Sequence, residues 1–394
     1  MGTNKTRLYF IDAIRAWAIL MMLQGHFIDG LLDNAFRDNS NFVFSVWQYF
    51  RGITAPVFFT VSGFIFTYLL IKVPQVGWDN PRVKKGLRRG VQLLIIGYLL
   101  RLNILGLFVG EVYHGFYLVD VLHCIGLSII GIIGAYVLTA NFKKWVFPFL
   151  LLFVTLILFV FEPLYKEANF HLLPQALANY FTKSNGSVFT ILPWFGYATL
   201  GGFISVLFSG FKNHKYLYPV AIPMFLIIGS IIIFFSSDFF LALSGYTGIQ
   251  LFADIFFNNY LFIRLGDVLV VFAIFMLFRK FLTNRTGLRL GQNTLSIYVI
   301  HFIILYGSFT GLGLYGFFHH SLSPWPVILG ASVFMISCSY LALKYEDNEV
   351  LIKRNTNYIL KNINIAIQQA FLIVFATLRT VIVKVLRLFG MAKN

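Results

Sequence analysis

Charge is scarce in this chain. Asp, Glu, Lys and Arg make up 12% of its 394 residues, against about 25% in soluble domains. That excludes a soluble globular protein and leaves an integral membrane protein. Acids are the scarcer sign, with 15 Asp+Glu against 31 Lys+Arg and a net charge of +16. Cysteine is nearly missing too. Cys124 and Cys338 fall in separate apolar segments, so neither a disulfide framework nor a cysteine metal site can be built. There is no Walker loop, no dinucleotide fingerprint and no His/Cys metal spacing, and no metal is expected. The first apolar run lacks a small-residue cleavage site and carries Asp12 and Arg15. It is therefore expected to stay as the first transmembrane helix rather than leave as a signal peptide.

What the chain has instead is apolar sequence. It is 58% hydrophobic, with a mean hydropathy of +0.79. Pro and Gly interrupt the apolar runs, as in the helices of a polytopic bundle. Ten spans are read near 9–29, 45–71, 90–108, 118–139, 145–161, 189–209, 217–235, 261–278, 290–308 and 325–343. The expected fold is an all-α integral membrane protein, a polytopic bundle of about ten transmembrane helices with a C-terminal amphipathic helix. Taken alternately, the N-terminus, 72–89, 140–144, 210–216, 279–289 and the tail from 344 hold twenty-four Lys+Arg. The opposite loops hold three, Arg37, Lys166 and Lys183. This asymmetry predicts that both termini are cytoplasmic. The basic excess thus reflects topology, so the lipid bilayer is the partner and no nucleic acid is expected.

Residues 1–345 read as one transmembrane domain and 346–394 as a basic tail. Residues 363–390 are apolar enough to suggest an eleventh span. Arg354, Lys361, Gln368 and Arg379, however, project within about 40° of one another on a helical wheel, with Gln369 and Arg387 at about 80° and Lys384 at about 140° on the same wheel, a polar stripe on an amphipathic helix. An eleventh span would also place Lys393 outside. A helix lying on the anionic cytoplasmic leaflet is expected.

Ionisable residues inside the spans are costly and carry the functional reading. Arg15 and His26 lie in the first span with ten residues between them. Eleven steps of 100° end about 20° past three turns, so both face one way, about 16 Å apart along the axis. The topology puts Arg15 toward the cytoplasm and His26 near the outer surface. Arg51, Arg101, Asp120, His123, Arg264, Asp267 and His301 also fall in the outer half. Asp29 follows His26 by one turn and can orient its ring. Plainer readings stand beside these. Arg51, Arg101 and Arg264 can snorkel to head groups. Arg264 with Asp267 can be a structural ion pair, and His123 can bond a backbone carbonyl. His114, His171, His214, His319 and His320 fall in loops and read as solvated.

Arg-x10-His in the first span resembles the motif of membrane acyltransferases of the acyltransferase-3 type. The segments RGITAPVFFTVSGFIF (51–66), GFYLVDVLHCIGLSII (115–130), LPWFGYATLGG (192–202) and LGQNTLSIYVIHFIIL (290–305) resemble the bacterial relatives of heparan-α-glucosaminide N-acetyltransferase, in the same transmembrane acyltransferase superfamily. The likeness runs over about residues 7–345. It implies transfer of an acyl group, usually acetyl, from cytoplasmic acyl-CoA (acetyl-CoA) to a sugar or glycan, free or lipid-linked, at the extracytoplasmic face. It implies a multi-pass protein of the bacterial cytoplasmic (inner) membrane. His26 matches the family histidine, Arg15 the arginine and Asp12 the acid before it. Ala16 departs from the glycine usual after that arginine.

His26 is then the catalytic candidate, as general base or as acyl carrier, with Arg15 and Asp29 beside it. Arg51, Arg101, Gln24 or Asn293 could stabilise the oxyanion. Arg15, Arg51, Arg101, Arg88 and Arg89 are candidates for the phosphates of acyl-CoA, although the 82–89 cluster also reads as plain topology determination. Asp120, His123, Arg264, Asp267 and His301 are the candidates for the acceptor, and the loops 162–188 and 236–260 would frame its entrance. A homodimer is compatible with this architecture. Two other classes remain open. Buried Asp, Arg and His also build a proton-coupled transporter, and a non-catalytic membrane scaffold would dock through the tail.

Overall fold

The computed structural model describes residues 8–388 apart from Glu111, Glu167, Asn169, His171, Thr182, Ser184 and Asn185. Within the C-terminal helix it leaves out the side chains of residues 357, 359, 360 and 363–388. Eleven helices carry the architecture. They are α1 (Tyr9–Leu31), α2 (Phe42–Ile71), α3 (Pro81–Leu100), α4 (Val121–Leu138), α5 (Val146–Val160), α6 (Ile191–Phe211), α7 (Leu217–Thr247), α8 (Tyr260–Leu277), α9 (Arg285–Gln292), α10 (Thr294–Tyr306) and α11 (Pro324–Leu388). Side-chain caps set several starts. Asn41 accepts from Val43 N and Phe44 N, and Asn80 from Arg82 N just ahead of Pro81, satisfying amides that open a helix.

Among the described residues seven helices are long and apolar enough to cross a membrane: α1, α2, α4, α6, α7, α8 and α11. The span expected at 290–308 differs from a single straight helix. It is a broken pair, α9 and α10, bent by 73° around Asn293. Two other segments read as spans fall on helices that miss the length or composition. At 145–161, α5 is an apolar helix of 15 residues. At 90–108, α3 stops at Leu100 and its first half is cationic.

The chain divides into two compact units, Met1–Ala342 and Leu343–Asn394. In the second, the described side chains include an exposed i,i+4 pair, Lys353 with Glu349 at 2.5 Å. The polar stripe expected there falls largely on side chains outside those described, as does Lys393.

Within the first unit α2 packs most closely on α6. A Cβ on Gly63 would overlap Ala198 O, and one on Gly201 would overlap Thr60 O. Only hydrogen at those positions lets the two backbones touch, the usual way helices associate where lipid removes the hydrophobic drive. An aromatic cluster then ties four helices. Phe64 on α2 lies 6.5 Å from Phe10 on α1, 5.8 Å from Phe208 on α6 and 5.9 Å from Phe272 on α8. Ala16 is tolerated because the close approach comes from the other partner. Gly291 of α9 sits where a Cβ would overlap Asp12 O and come within 3.2 Å of Ala16 N.

Candidate active site

Arg15 and His26 both face α10, as their spacing on one face of α1 requires. Arg15 Nη2 donates to Thr294 Oγ1 at 3.1 Å. His26 Nδ1 lies 3.2 Å from His301 Nε2. One of these two nitrogens carries the shared proton and the other accepts it. His301 is fully buried, and Tyr298 stands edge-on to its ring at 4.8 Å between centroids. Tyr306 packs against both imidazoles.

Asp29 takes a different place from the one its spacing suggests. Its carboxylate holds Arg37 Nη2 at 2.8 Å and Arg51 Nη2 at 2.5 Å, and its carbonyl accepts from Arg37 Nη1. Two guanidinium partners outcompete a neutral ring for one carboxylate, because ionic hydrogen bonds are about twice as strong as neutral ones. The hydrogen-bond partner of the His26 ring is His301 instead. Arg37 also meets His320 Nδ1 at 3.3 Å, which in turn lies 3.0 Å from Leu32 O. Neither Arg37 nor His320 is simply solvated. Arg37, which the sequence shows only as a loop charge, is thereby held at Asp29, a wall of the second cavity.

Two cavities meet at His26. One, of about 600 Å³, runs along α2 past Tyr49, Phe58, Trp194, Tyr260 and Arg264. The other, of about 530 Å³, is walled by Asp29, Arg101, Asp120, Tyr298 and Tyr306. His26, Arg51, Val188 and Phe189 line both. Lys183 and Val188 bring the 162–188 loop to the first cavity, whereas 236–247 continues α7 as helix. Arg15 lines neither of these two cavities and instead donates to Thr294 at the start of α10. Of the proposed oxyanion donors, Arg51 and Arg101 reach the cavities. Gln24 and Asn293 line neither: Gln24 accepts from Trp47 Nε1 through Oε1 and turns its amide NH2 to Met21 Sδ, and Asn293 Nδ2 donates to Arg289 O.

The remaining candidates separate into wall and support. Arg264 lines the first cavity with its guanidinium against Tyr49 and Tyr260. Asp267 stands behind it, 2.8 Å from Arg264 Nη1, and accepts from Tyr49 Oη at 2.8 Å. Asp120 lines the second cavity, 3.4 Å from Arg101 Nε. His123, fully buried and 2.9 Å from Asp120 Oδ1, closes the capping box of α4. Its geometry is that of a support. Arg88 and Arg89 line a separate cavity at the far end of α2. No group of three or more His, Cys, Asp or Glu is placed to hold a metal among the described residues.

Residues 7–247 match the family of heparan-alpha-glucosaminide N-acetyltransferase catalytic domains. The chain belongs to this family. It is a membrane acetyltransferase of the helical, multi-pass kind that its apolar helices describe. The match takes in α1 to α7, a shorter stretch than the 7–345 resemblance. His26, Asp29, Arg51, Arg101 and Asp120 lie inside it, and Arg264, Asp267 and His301 beyond. No curated protein matches the chain.

Proposed function

We propose that this acetyltransferase moves an acetyl group from acetyl-CoA, supplied from the cytoplasm, to a sugar hydroxyl or amine on a glycan or lipid-linked sugar, with His26 as the general base. The carrying observation is the place of His26 at the junction of two cavities. A two-substrate transfer needs two approaches to one proton-handling group, and a shared wall supplies them. The aromatic cavity, with Tyr49, Trp194 and Tyr260, suits the faces of a sugar ring.

The proton path follows from the histidine pair. With Nδ1–H of His26 donated to His301 Nε2, His26 Nε2 keeps its lone pair. It takes the acceptor proton as the acceptor oxygen or nitrogen attacks the thioester carbonyl. Charge developing on that carbonyl oxygen falls beside Arg51, which lines both cavities. The intermediate then collapses with cleavage of the C–S bond. The thiolate leaves with the proton that His26 holds, and the acetyl group ends on the acceptor.

The test is transfer of labelled acetyl from acetyl-CoA in membranes, with protein levels matched. His26→Ala is expected to lose activity by about 10²–10⁴-fold. Undiminished transfer would overturn the assignment. Label retained covalently on the wild-type chain when no acceptor is present would replace the base by an acyl carrier.

A further inference from the structure

A third cavity, of about 600 Å³, lies between the end of α2 and the first half of α3. Phe66, Leu69 and Leu70 form its apolar wall, and Arg82, Lys84, Lys85, Arg88 and Arg89 its cationic one. It is distinct from the site at His26. On α2, Phe66 is fifteen residues beyond Arg51, about 22 Å along a helix.

The arginines around the two cavities at His26 have carboxylates. Arg37 and Arg51 share Asp29, Arg101 has Asp120, and Arg264 has Asp267. The five cations on α3 differ. None of them pairs with a carboxylate among the described residues, and Arg89 reaches only Gln92 Oε1, at 3.0 Å. Five like charges within eight positions, set against an apolar wall, favour an anion from outside the chain.

The outer face of α3 indicates what brings that charge. Lys84 and Arg88 are exposed, and directly along the helix from them Val91, Ile95 and Leu99 are exposed at 49%, 53% and 46%. The spacing places all five on one stripe. Such a stripe offers cations to a head group and a hydrocarbon-facing track to the chains attached to it. A free water-soluble anion would use the cations and leave the apolar track bare.

We infer that the α2–α3 cavity is a binding site for an anionic phospholipid, whose phosphate sits among Arg82, Lys84, Lys85, Arg88 and Arg89 and whose chains run along Val91, Ile95 and Leu99. Basic pockets between transmembrane helices recognise head groups in this way.

The experiment uses the purified full chain in vesicles or detergent. Wild type carried through equimolar phosphatidylcholine and phosphatidylglycerol retains phosphatidylglycerol preferentially by native mass spectrometry, and the thermal midpoint rises with phosphatidylglycerol but not with phosphatidylcholine. Arg88→Gln with Arg89→Gln weakens phosphatidylglycerol binding by about thirtyfold, at about 1 kcal/mol per cation. These side chains are exposed, so folding is checked by circular dichroism, and the single Arg88→Gln gives the smaller loss if the pair fails to fold. Equal retention of the two lipids overturns the inference. A double variant that keeps its phosphatidylglycerol shift but loses stabilisation by coenzyme A also overturns it, and would give the cavity to the donor phosphates instead.

Discussion

His301 carries the most at the residue scale. It is fully buried, and its Nε2 is the hydrogen-bond partner of His26 Nδ1 at 3.2 Å. Truncation to alanine frees the His26 ring to rotate and strips Nδ1 of its partner, so both the tautomer and the aim of Nε2 are lost. His301→Ala is expected to lower kcat by about 10–100-fold, as losses of orienting partners to a working histidine do, with KM for acetyl-CoA nearly unchanged. His301→Gln, whose side-chain oxygen can accept from Nδ1–H, should recover part of the rate. Equal defects in both variants, or an effect on KM alone, would remove His301 from the proton path. This pairing was only half legible in the sequence. Both histidines stood out as ionisable groups in the outer half of their spans. Nothing in a linear sequence joins positions 275 apart, and the nearer acid, Asp29, offered an i,i+3 geometry that is sterically sound. The carboxylate goes to Arg37 and Arg51 because charge decides between partners of equal reach. Arg37 escaped notice for the related reason that a cation in a loop reads as solvated unless its acid is known.

At the scale of the helix, the α2–α6 crossing sets where the walls of the first cavity stand, since α2 bears Tyr49, Arg51 and Phe58 and α6 bears Trp194. The crossing depends on two glycines whose missing Cβ atoms would overlap opposing backbone oxygens. Gly63→Ala or Gly201→Ala must push the helices apart, an overpacking cost of about 1–3 kcal/mol or more. Gly134→Ala, with nothing within 4 Å, is expected to be neutral. Thermal unfolding in detergent compares the three, and a Gly63→Ala midpoint equal to that of Gly134→Ala would count against a rigid crossing. Among the described residues, hydropathy placed seven segments on helices long and apolar enough to cross a membrane, and an eighth on the bent pair α9–α10, because apolar windows report composition directly. It could not report the bend. The apolar run through 290–308 has no proline, and the break at Asn293 lies between two helices that both pack on α1. Nor could it foresee that Ala16 is harmless, since the close approach is made by Gly291, far along the chain.

At the scale of the molecule, the distribution of basic residues and the location of the cavities point the same way. The segments lining the two cavities at His26 include Ser45, Lys183, Asn103, Ser308 and Gly311, all in or beside the connections that carry few Lys and Arg. The cavity among the α3 cations lies at the other end of α2, beside the connection richest in them. If cations stay on the cytoplasmic side, the transfer site opens outward and the basic cavity faces in. Cysteine labelling tests this without a topology assumption, since Cys124 and Cys338 are both buried and give a low background. In intact cells a membrane-impermeant maleimide should react with Ser40→Cys and Lys183→Cys. It should react with Lys144→Cys and Lys215→Cys only after permeabilisation. The reverse pattern would turn the molecule over. His26 would then face the cytoplasm, donor and acceptor would have to meet on that side, and acetyl transfer would no longer carry the group across the bilayer.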